Sequence, residues 1–317
     1  MSLAKYAPVL DSVRGIGWPA LYRVRSTVSG PHPATTRGTS AEFVEYRPYR
    51  QGDDPRKIDW KLLARTDRVY TRLSQEHATL PTVLVVDASA SMAFPEETLR
   101  KWSFACQLAI ALAAVARHRG DPVGLVLAHE KGTKVIAPQT RQTVLEEMMH
   151  TLETVPSGTP PLAPAAREAL RLGARVALLS DFLGDTEALL AEARTAAAAG
   201  REVYAIHVVD PGELDPDPKK LLVDDPEDLT IRRPLPPSVR AEYLRRFGEW
   251  REQLARDWRR AGAVYTQVVP EAEPIRRTIR RITSGMAGAV SASDRTPEAS
   301  GRKLRNSTRA TMTGGAR

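Results

Sequence analysis

The stretch VLVVDASASM, residues 83–92, joins a strongly apolar segment to three polar side chains. Four bulky apolar residues, three of them valine, predict a buried strand that ends at Asp87. Ser89 and Ser91 follow at every second position, so three hard oxygens can be directed at one point, which suits Mg²⁺ or a similar cation. The alternative interpretation is that the Asp and Ser side chains cap the helix that follows.

Strands and helices alternate on the carboxyl side of this stretch. That alternation predicts an α/β fold with a doubly wound, mainly parallel sheet of the Rossmann-like kind. In such a sheet ligands bind in the crevice outside the carboxyl ends of the strands. Strands are predicted at 82–87, 123–128, 134–137, 175–179, 203–209 and 263–269. Helices are predicted at 99–119, 141–155, 186–199, 238–261 and 273–282. A further helix is predicted from the end of the loop 156–164 to residue 172.

The remaining parts of the chain have a different character. We therefore divide the chain into three predicted regions, which are an N-terminal segment over 1–80, the sheet domain over 81–282 and a disordered basic tail over 283–317. The sheet domain is interrupted by a proline- and aspartate-rich excursion at 210–237. Within the first region, helix is predicted up to about residue 25, loop at 30–39, where Pro, Gly and Thr cluster, and strand at 68–73.

Composition narrows the class of protein. The 317 residues are 42% hydrophobic and 26% charged, with Cys106 as the single cysteine, so no intramolecular disulfide can form. There is no apolar core of signal-peptide type, and the apolar run 102–116 is too short to span a bilayer. We therefore expect a soluble, cytoplasmic protein without a membrane span. The sequence does not predict an oligomeric state.

The net charge of +8 raises the alternative of nucleic-acid binding. The basic residues between Arg302 and Arg309 lack interleaved aromatic side chains, so this tail predicts at most non-specific, salt-sensitive binding and no specific nucleic-acid partner.

Two further loops carry oxygen side chains that complement the first. Thr159 lies in a Gly-Thr turn before a helix, and Asp181 follows the apolar strand 175–179. The set Asp87, Ser89, Ser91, Thr159 and Asp181 resembles the metal-ion-dependent adhesion site of von Willebrand factor type A domains. The resemblance implies that the three hydroxyls bind Mg²⁺, or Mn²⁺ or Ca²⁺ in its place, and that the two carboxylates hold it directly or through waters. A metal held largely by neutral hydroxyls keeps positive charge and favours an Asp or Glu of a protein partner as a further ligand.

The block upstream of the first strand is more specific. EFVEYRPYRQGDDPRKIDWKLLARTDRVYTR, residues 42–72, closely resembles the family catalogued as domain of unknown function 58, in which it precedes a type A-like domain. The similarity covers roughly residues 30–282. It implies a non-catalytic adaptor that works with a MoxR-type AAA ATPase. The mixed charges from Gly52 to Trp60 predict a paired ionic network, either structural or for binding.

Enzyme classes are less compatible with these residues. Haloacid dehalogenase-like phosphatases have Asp-x-Asp after the corresponding strand, and Asp181 with Asp185 could imitate their later motif. This chain has Ser89 where that chemistry needs a second Asp as general acid and base. There is no P-loop for ATP hydrolysis, and the six His are scattered without zinc-ligand spacing.

Overall fold

The structure is a computed structural model that describes residues 2–21, 29–51, 53, 55–184, 186–217, 222–224, 232–234 and 236–285. In chain order its strands are β1 Ser29–Pro48, β2 Tyr70–Ala78, β3 Thr82–Asp87, β4 Val123–Ala128, β5 Lys134–Gln139, β6 Arg175–Ser180, β7 Glu202–Val208, β8 Leu222–Asp224, β9 Arg232–Pro234 and β10 Val264–Val268. Its α-helices are α1 Ser2–Ser12, α2 Trp60–Thr66, α3 Arg100–His118, α4 Thr143–Thr151, α5 Leu162–Leu172, α6 Glu187–Ala198, α7 Pro211–Leu214, α8 Pro237–Arg260 and α9 Ile275–Thr283.

Six strands form one sheet in the order β10-β7-β6-β3-β4-β5. All neighbours are parallel except β5, which pairs antiparallel with β4 at the edge. From β3 the chain first builds outward through β4 and then returns to β6 on the other side of β3. The direction of winding therefore reverses between β3 and β6, and the crevice at their carboxyl ends is the position where such sheets bind ligands. The predicted doubly wound, mainly parallel class is confirmed.

Apolar side chains alternate between the two faces of the central strands. In β3, Leu84 and Val86 join one core cluster with α3 and α4, whereas Val83 and Val85 join another with α5 and α6. All four are fully buried. Because both faces are covered, β3 is a continuous apolar run, as expected for a central parallel strand.

The first helix belongs to the core of the sheet domain. Tyr6, Val9 and Val13 are buried in the same cluster as α3 and α4. The helix ends at Ser12 and not near residue 25 as predicted, since Gly15 takes a φ of +75° and Pro19 follows. The boundaries of the three regions stay a prediction, but residues 6–18 pack with the second of them.

The prediction of a loop at 30–39 is wrong. Residues Ser29–Pro48 form β1, which pairs antiparallel with β2 and shows several register shifts along its length. Register shifts of this kind mark β-bulges or irregular pairing, which accommodate Pro and Gly residues within a strand. The strand expected at 68–73 is also longer, because this pairing extends it to Ala78. Local composition predicted a loop, and long-range pairing decided otherwise.

The other predicted elements occur with small changes of boundary. Helix α4 ends at Thr151 and not at residue 155, and α5 begins at Leu162 with Pro164 inside its first turn, a position that needs no N–H donor. The excursion contains α7 and the small antiparallel pair β8 and β9. The tail from residue 286 onward lies outside the described residues. None of the described helices is both long and apolar enough to cross a membrane.

Candidate functional site

Asp87 is the last residue of β3, and its side chain lies at the edge of the sheet where the direction of winding reverses. The residue is 6% exposed. Its Oδ2 accepts a hydrogen bond of 2.6 Å from Ser180 Oγ at the end of β6, and its Oδ1 accepts one of 2.9 Å from the Ser89 backbone N–H. Burial, followed by the charge of Asp181, raises the pKa of Asp87 to about 6. Because burial is the larger cause, the raised pKa reflects mainly the loss of water around the Asp87 carboxylate.

Ser89 and Ser91 place their hydroxyls side by side on the turn after β3. The two Oγ atoms are 3.1 Å apart and both residues are buried. Ligands at right angles around Mg²⁺, each at about 2.1 Å from it, lie about 3.0 Å from one another. The hydroxyl pair therefore has the spacing of two adjacent corners of an octahedral site. Ser89 makes no side-chain capping bond to the following short helix Ala90–Ala93, which argues against the capping interpretation.

Asp181 follows β6 next to Asp87 and is 3% exposed. Its Oδ1 accepts a hydrogen bond of 3.2 Å from the Leu183 N–H, while its buried Oδ2 has no hydrogen-bond partner. Phe182 lies in the left-handed region with a φ of +54°, which is strained for a bulky residue. Strain of this kind is held in place by its surroundings and concentrates at functional sites.

Thr159 is exposed on the loop between α4 and α5, which two backbone hydrogen bonds join to the serine turn. The Ser157 N–H donates to Ala88 O at 2.9 Å, and the Ala90 N–H donates to Gly158 O at 2.8 Å. Gly158 has a φ of +64°, and a Cβ there would lie 2.8 Å from the side chain of Glu130, so this position requires glycine. The fold thus joins the loop that carries Thr159 to the serine turn. The threonine side chain is exposed, and its role as a metal ligand stays a prediction.

Sequence reasoning missed a fourth group, the ammonium of Lys101 in the first turn of α3. Lys101 is fully buried, and its Nζ lies 2.7 Å from Glu213 Oε1 and 2.8 Å from Asp181 Oδ2. The contact with Glu213 is a hydrogen bond, whereas the contact with Asp181 is an ion pair without hydrogen-bond geometry. Although burial lowers it, the charges of Asp181 and Glu213 raise the pKa of Lys101 above its ordinary value. The ammonium is therefore a permanent charge at the site.

A signal for this lysine was present in the sequence. Arg100 and Lys101 begin a 19-residue helix whose first turn has no acidic residue, and cations at a helix N-terminus oppose the helix dipole. Such a pair requires carboxylates from elsewhere. Arg100 pairs with Asp210 through two hydrogen bonds of 2.8 and 2.7 Å, and Lys101 pairs with Glu213, both acids belonging to the α7 turn.

The donor set fits a hard divalent cation. Among the described residues no group of three or more His, Cys, Asp or Glu side chains converges to hold a metal, so a bound ion would depend on the serine hydroxyls and the two aspartates. With all groups ionised, the carboxylates of Asp87, Asp181 and Glu213 and the ammonium of Lys101 sum to a formal charge of −2, and Lys101 contacts two of the three acids. Burial lowers the pKa of the adjacent His207 to about 3, so this histidine adds no positive charge. A divalent ion would neutralise the cluster.

The phosphatase alternative lacks its second carboxylate in the structure as well. Ser89 occupies the position two residues after Asp87, and its hydroxyl contacts Ser91. Asp185, the other residue of that hypothesis, lies outside the described residues.

The Gly52 to Trp60 segment forms a structural network in its described part. Asp53 pairs with Arg47 at 2.6 Å through one oxygen of its carboxylate. Asp59 caps α2 by accepting from the N–H groups of its first turn, and it also accepts from the Tyr46 hydroxyl at 2.8 Å. Gly52 and Asp54 lie outside the described residues.

Comparisons with known proteins identify similar chains. The family model described as protein of unknown function DUF58 matches residues 45–253. An uncharacterized protein of Mycobacterium tuberculosis H37Rv is 28% identical over 277 residues, which cover 84% of this chain and 87% of that protein.

Similar solved structures include BatB from Bacteroides thetaiotaomicron, with a TM-score of 0.43 and 16% identity over 65% of this chain and 98% of that one. Another is the VWA domain of SpRpn10, with a TM-score of 0.37 and 11% identity over 67% of this chain and 100% of that one. The fold assignment rests on the strand order described above.

Proposed function

This chain belongs to the family described as protein of unknown function DUF58, as predicted. From that premise we propose that it is a non-catalytic adaptor, which binds a carboxylate of a partner protein through a Mg²⁺ site. The observation that carries the proposal is the pair of serine hydroxyls, 3.1 Å apart, on the turn whose Ser89 N–H donates to the buried carboxylate of Asp87. Ser89, Ser91 and Thr159 would supply hydroxyl ligands, and the two aspartates would hold the ion directly or through waters. Mn²⁺ or Ca²⁺ could replace Mg²⁺.

Each group at the proposed Mg²⁺ site has its own role in binding the partner carboxylate. The ion, when bound, supplies a positively charged coordination position for an external Asp or Glu. Ser180 holds Asp87 in place through the 2.6 Å hydrogen bond. The Leu183 N–H and the Lys101 ammonium hold the two carboxylate oxygens of Asp181. Hydroxyl ligands carry no charge, so the open coordination position would attract an external carboxylate more strongly than a site whose direct ligands were all carboxylates.

The rim of the site supports a protein partner. Val155 and Leu183, on the loops that carry Thr159 and Asp181, are 65% and 45% exposed. Apolar side chains next to a charged contact favour a protein surface over a small polar ligand. A MoxR-type AAA ATPase is the partner implied by the family resemblance, and a cytoplasmic location likewise stays a prediction from the sequence.

Substituting Asp87 with Asn is expected to abolish stabilisation by Mg²⁺. The wild type at a hundredfold excess of Mg²⁺ over its dissociation constant should gain about 2.7 kcal/mol of unfolding free energy relative to chelator. In chelator the Asn variant should be at least as stable as the wild type, because it removes a buried charge that lies beside Asp181. Thermal unfolding of both proteins, with and without MgCl₂, measures this.

The same experiment has two contradicting outcomes. An equal Mg²⁺ shift in the wild type and the Asn variant would remove Asp87 from the site. Turnover of small phosphoesters that is lost with Asp87 would favour the phosphatase alternative over the adaptor.

Binding to the partner is expected to depend on the same aspartate. Purified MoxR-type ATPase should bind immobilised wild-type protein and lose at least about tenfold in affinity for the Asn variant, a loss of about 1.4 kcal/mol. Mg²⁺ stays constant in both arms, because the ATPase itself needs it for nucleotide. Arg171→Ala, which changes a residue that is 72% exposed near the end of α5, is the control and should bind as the wild type does. Equal affinity of the wild type and the Asp87 variant would overturn this partnership.

A further inference from the structure

Lys101 is tied to two elements that meet at the candidate site. Its ammonium lies between Asp181, which follows β6, and Glu213, which belongs to α7. Lysine is almost never fully buried unless it is paired, and here both partners are carboxylates. One of the two aspartates that would hold the metal is therefore already paired with a buried cation.

Glu213 is positioned independently of the site. Its Oε2 accepts a hydrogen bond of 2.6 Å from the Asp210 N–H, and the Asp210 side chain in turn accepts from the Gly212 N–H at 2.8 Å, which completes a capping box. Only the Oε1 atom of Glu213 faces Lys101. Lys101 thus keeps a fixed, hydrogen-bonded partner even if its contact with Asp181 is lost.

The two contacts of the ammonium differ in quality. The contact with Glu213 has hydrogen-bond geometry, whereas Asp181 Oδ2 is buried beside Nζ without it. The Asp181 oxygen is therefore the atom with unused hydrogen-bonding capacity. It belongs to the residue after Ser180, which donates to Asp87 beside the turn that carries the Ser89 and Ser91 hydroxyls. A divalent cation that approached these hydroxyls would compete with Lys101 for it.

We propose that Lys101 is an internal competitor for the metal: it neutralises Asp181 in the metal-free protein, releases it to a divalent cation and remains bound to Glu213. This proposal rests on the proposed function, because it concerns the affinity of that same Mg²⁺ site. Lys101 would not bind the ion itself. Through its contact with Asp181 it is a positioning residue that sets how tightly the site binds the ion. Glu213 acts in the opposite sense, because it draws the ammonium away from Asp181.

Substitutions of Lys101 and of Glu213 are expected to change the affinity for Mg²⁺ in opposite directions. Lys101→Met removes the competing charge, so Mg²⁺ should bind roughly tenfold more tightly, since a unit charge at ionic-contact distance weighs at least that much near a protein surface. Glu213→Gln leaves the ammonium to Asp181 alone and removes one negative charge, so Mg²⁺ should bind roughly tenfold more weakly. Isothermal titration with MgCl₂ at fixed ionic strength measures both constants on the full chain.

Arg100→Met is the matched control. It removes the same charge from the neighbouring position of the same helix turn, but Arg100 contacts Asp210 and not Asp181. Its Mg²⁺ affinity should stay within about threefold of the wild type, because a charge without direct contact is screened. Should Arg100→Met tighten Mg²⁺ binding as much as Lys101→Met does, the effect would be general electrostatics and direct competition would be refuted.

Stability in chelator supplies the second readout. Lys101→Met should lower the melting temperature in chelator, because Asp181 and Glu213 lose their counter-ion, and Mg²⁺ should restore most of it. A purely structural lysine would give lower stability together with unchanged or weaker Mg²⁺ affinity, which overturns the proposal. Where the Met variant does not fold in chelator, Lys101→Gln removes the charge and keeps a donor for Glu213, with the same expectation.

The wild-type titration separates the two levels of inference. Binding in the wild type with no tightening in either Lys101 variant would refute the competitor role and leave the metal site intact. Absence of binding in the wild type and in every variant would refute the metal site and the competitor role with it. Binding that appears only after Lys101 is replaced would support competition in its strongest form.

Discussion

Replacing Arg175 with Met is expected to lower the free energy of unfolding by about 3–5 kcal/mol, because it leaves Glu202 buried without a counter-ion. Arg175 is fully buried at the start of β6, and its Nε donates to Glu202 Oε2 at 2.8 Å. Its other nitrogens donate to the carbonyls of Trp18 and Pro19, and the guanidinium lies 4.4 Å from the centroid of the Trp18 ring. One side chain thus joins β6, β7 and the N-terminal segment.

Urea unfolding measures this change, and an exposed ion pair provides its control. Arg167 pairs with Glu192 at 2.6 Å, but its side chain is 68% exposed, so Arg167→Met should cost less than about 1 kcal/mol. The double substitution of Arg175 by Met and Glu202 by Leu should recover much of the loss, because no charge is then buried unpaired. A loss for Arg175→Met no larger than that for Arg167→Met would contradict the assignment.

This cluster lies at the amino ends of the strands, opposite the candidate site. Arg175 and Glu202 begin β6 and β7, whereas Asp87 and Asp181 lie where β3 and β6 end. Variants at Arg175 that remain folded should therefore keep the Mg²⁺ affinity of the wild type.

Replacing Trp258 with Ala is expected to cost a similar amount, about 3–5 kcal/mol, through the cavity that a large buried ring leaves behind. Trp258 of α8 is fully buried and its ring centroid lies 5.0 Å from that of Phe182, the strained residue after Asp181. Its Nε1 is buried without a hydrogen-bond partner, so Trp258→Phe removes an unsatisfied donor and should cost clearly less than Trp258→Ala.

Trp60 is the matched control for this substitution. It is 64% exposed on α2, and Trp60→Ala should change the unfolding free energy by no more than about 0.5 kcal/mol. Because Trp258 supports Phe182, the Ala variant should also weaken Mg²⁺ binding, whereas Trp60→Ala should not. Chemical unfolding followed by Mg²⁺ titration tests both effects, and equal stability of the two alanine variants would refute the packing argument.

Local pattern determined the sheet and half of the candidate site. Runs such as 83–86 and 176–179 have both faces covered by helices, and burial on both faces is what makes a strand uniformly apolar and recognisable. Asp87, Ser89 and Ser91 lie within five positions, so their convergence depends only on the backbone after one strand. Asp181 could be added because right-handed crossovers bring neighbouring strand ends to one edge.

Tertiary structure decided what depends on distant pairing. Lys101 and Glu213 are 112 residues apart, and nothing local distinguishes a buried lysine at a helix start from a solvated one except its unfavourable place in the helix dipole. Likewise, β1 forms because β2 pairs with it, and α1 belongs to the core because α3 and α4 cover it. A sequence states which side chains can be buried or charged, whereas only the folded chain states which charges meet. In this protein the folded chain shows that the Lys101 ammonium pairs with Asp181, which is also a ligand in the proposed metal site.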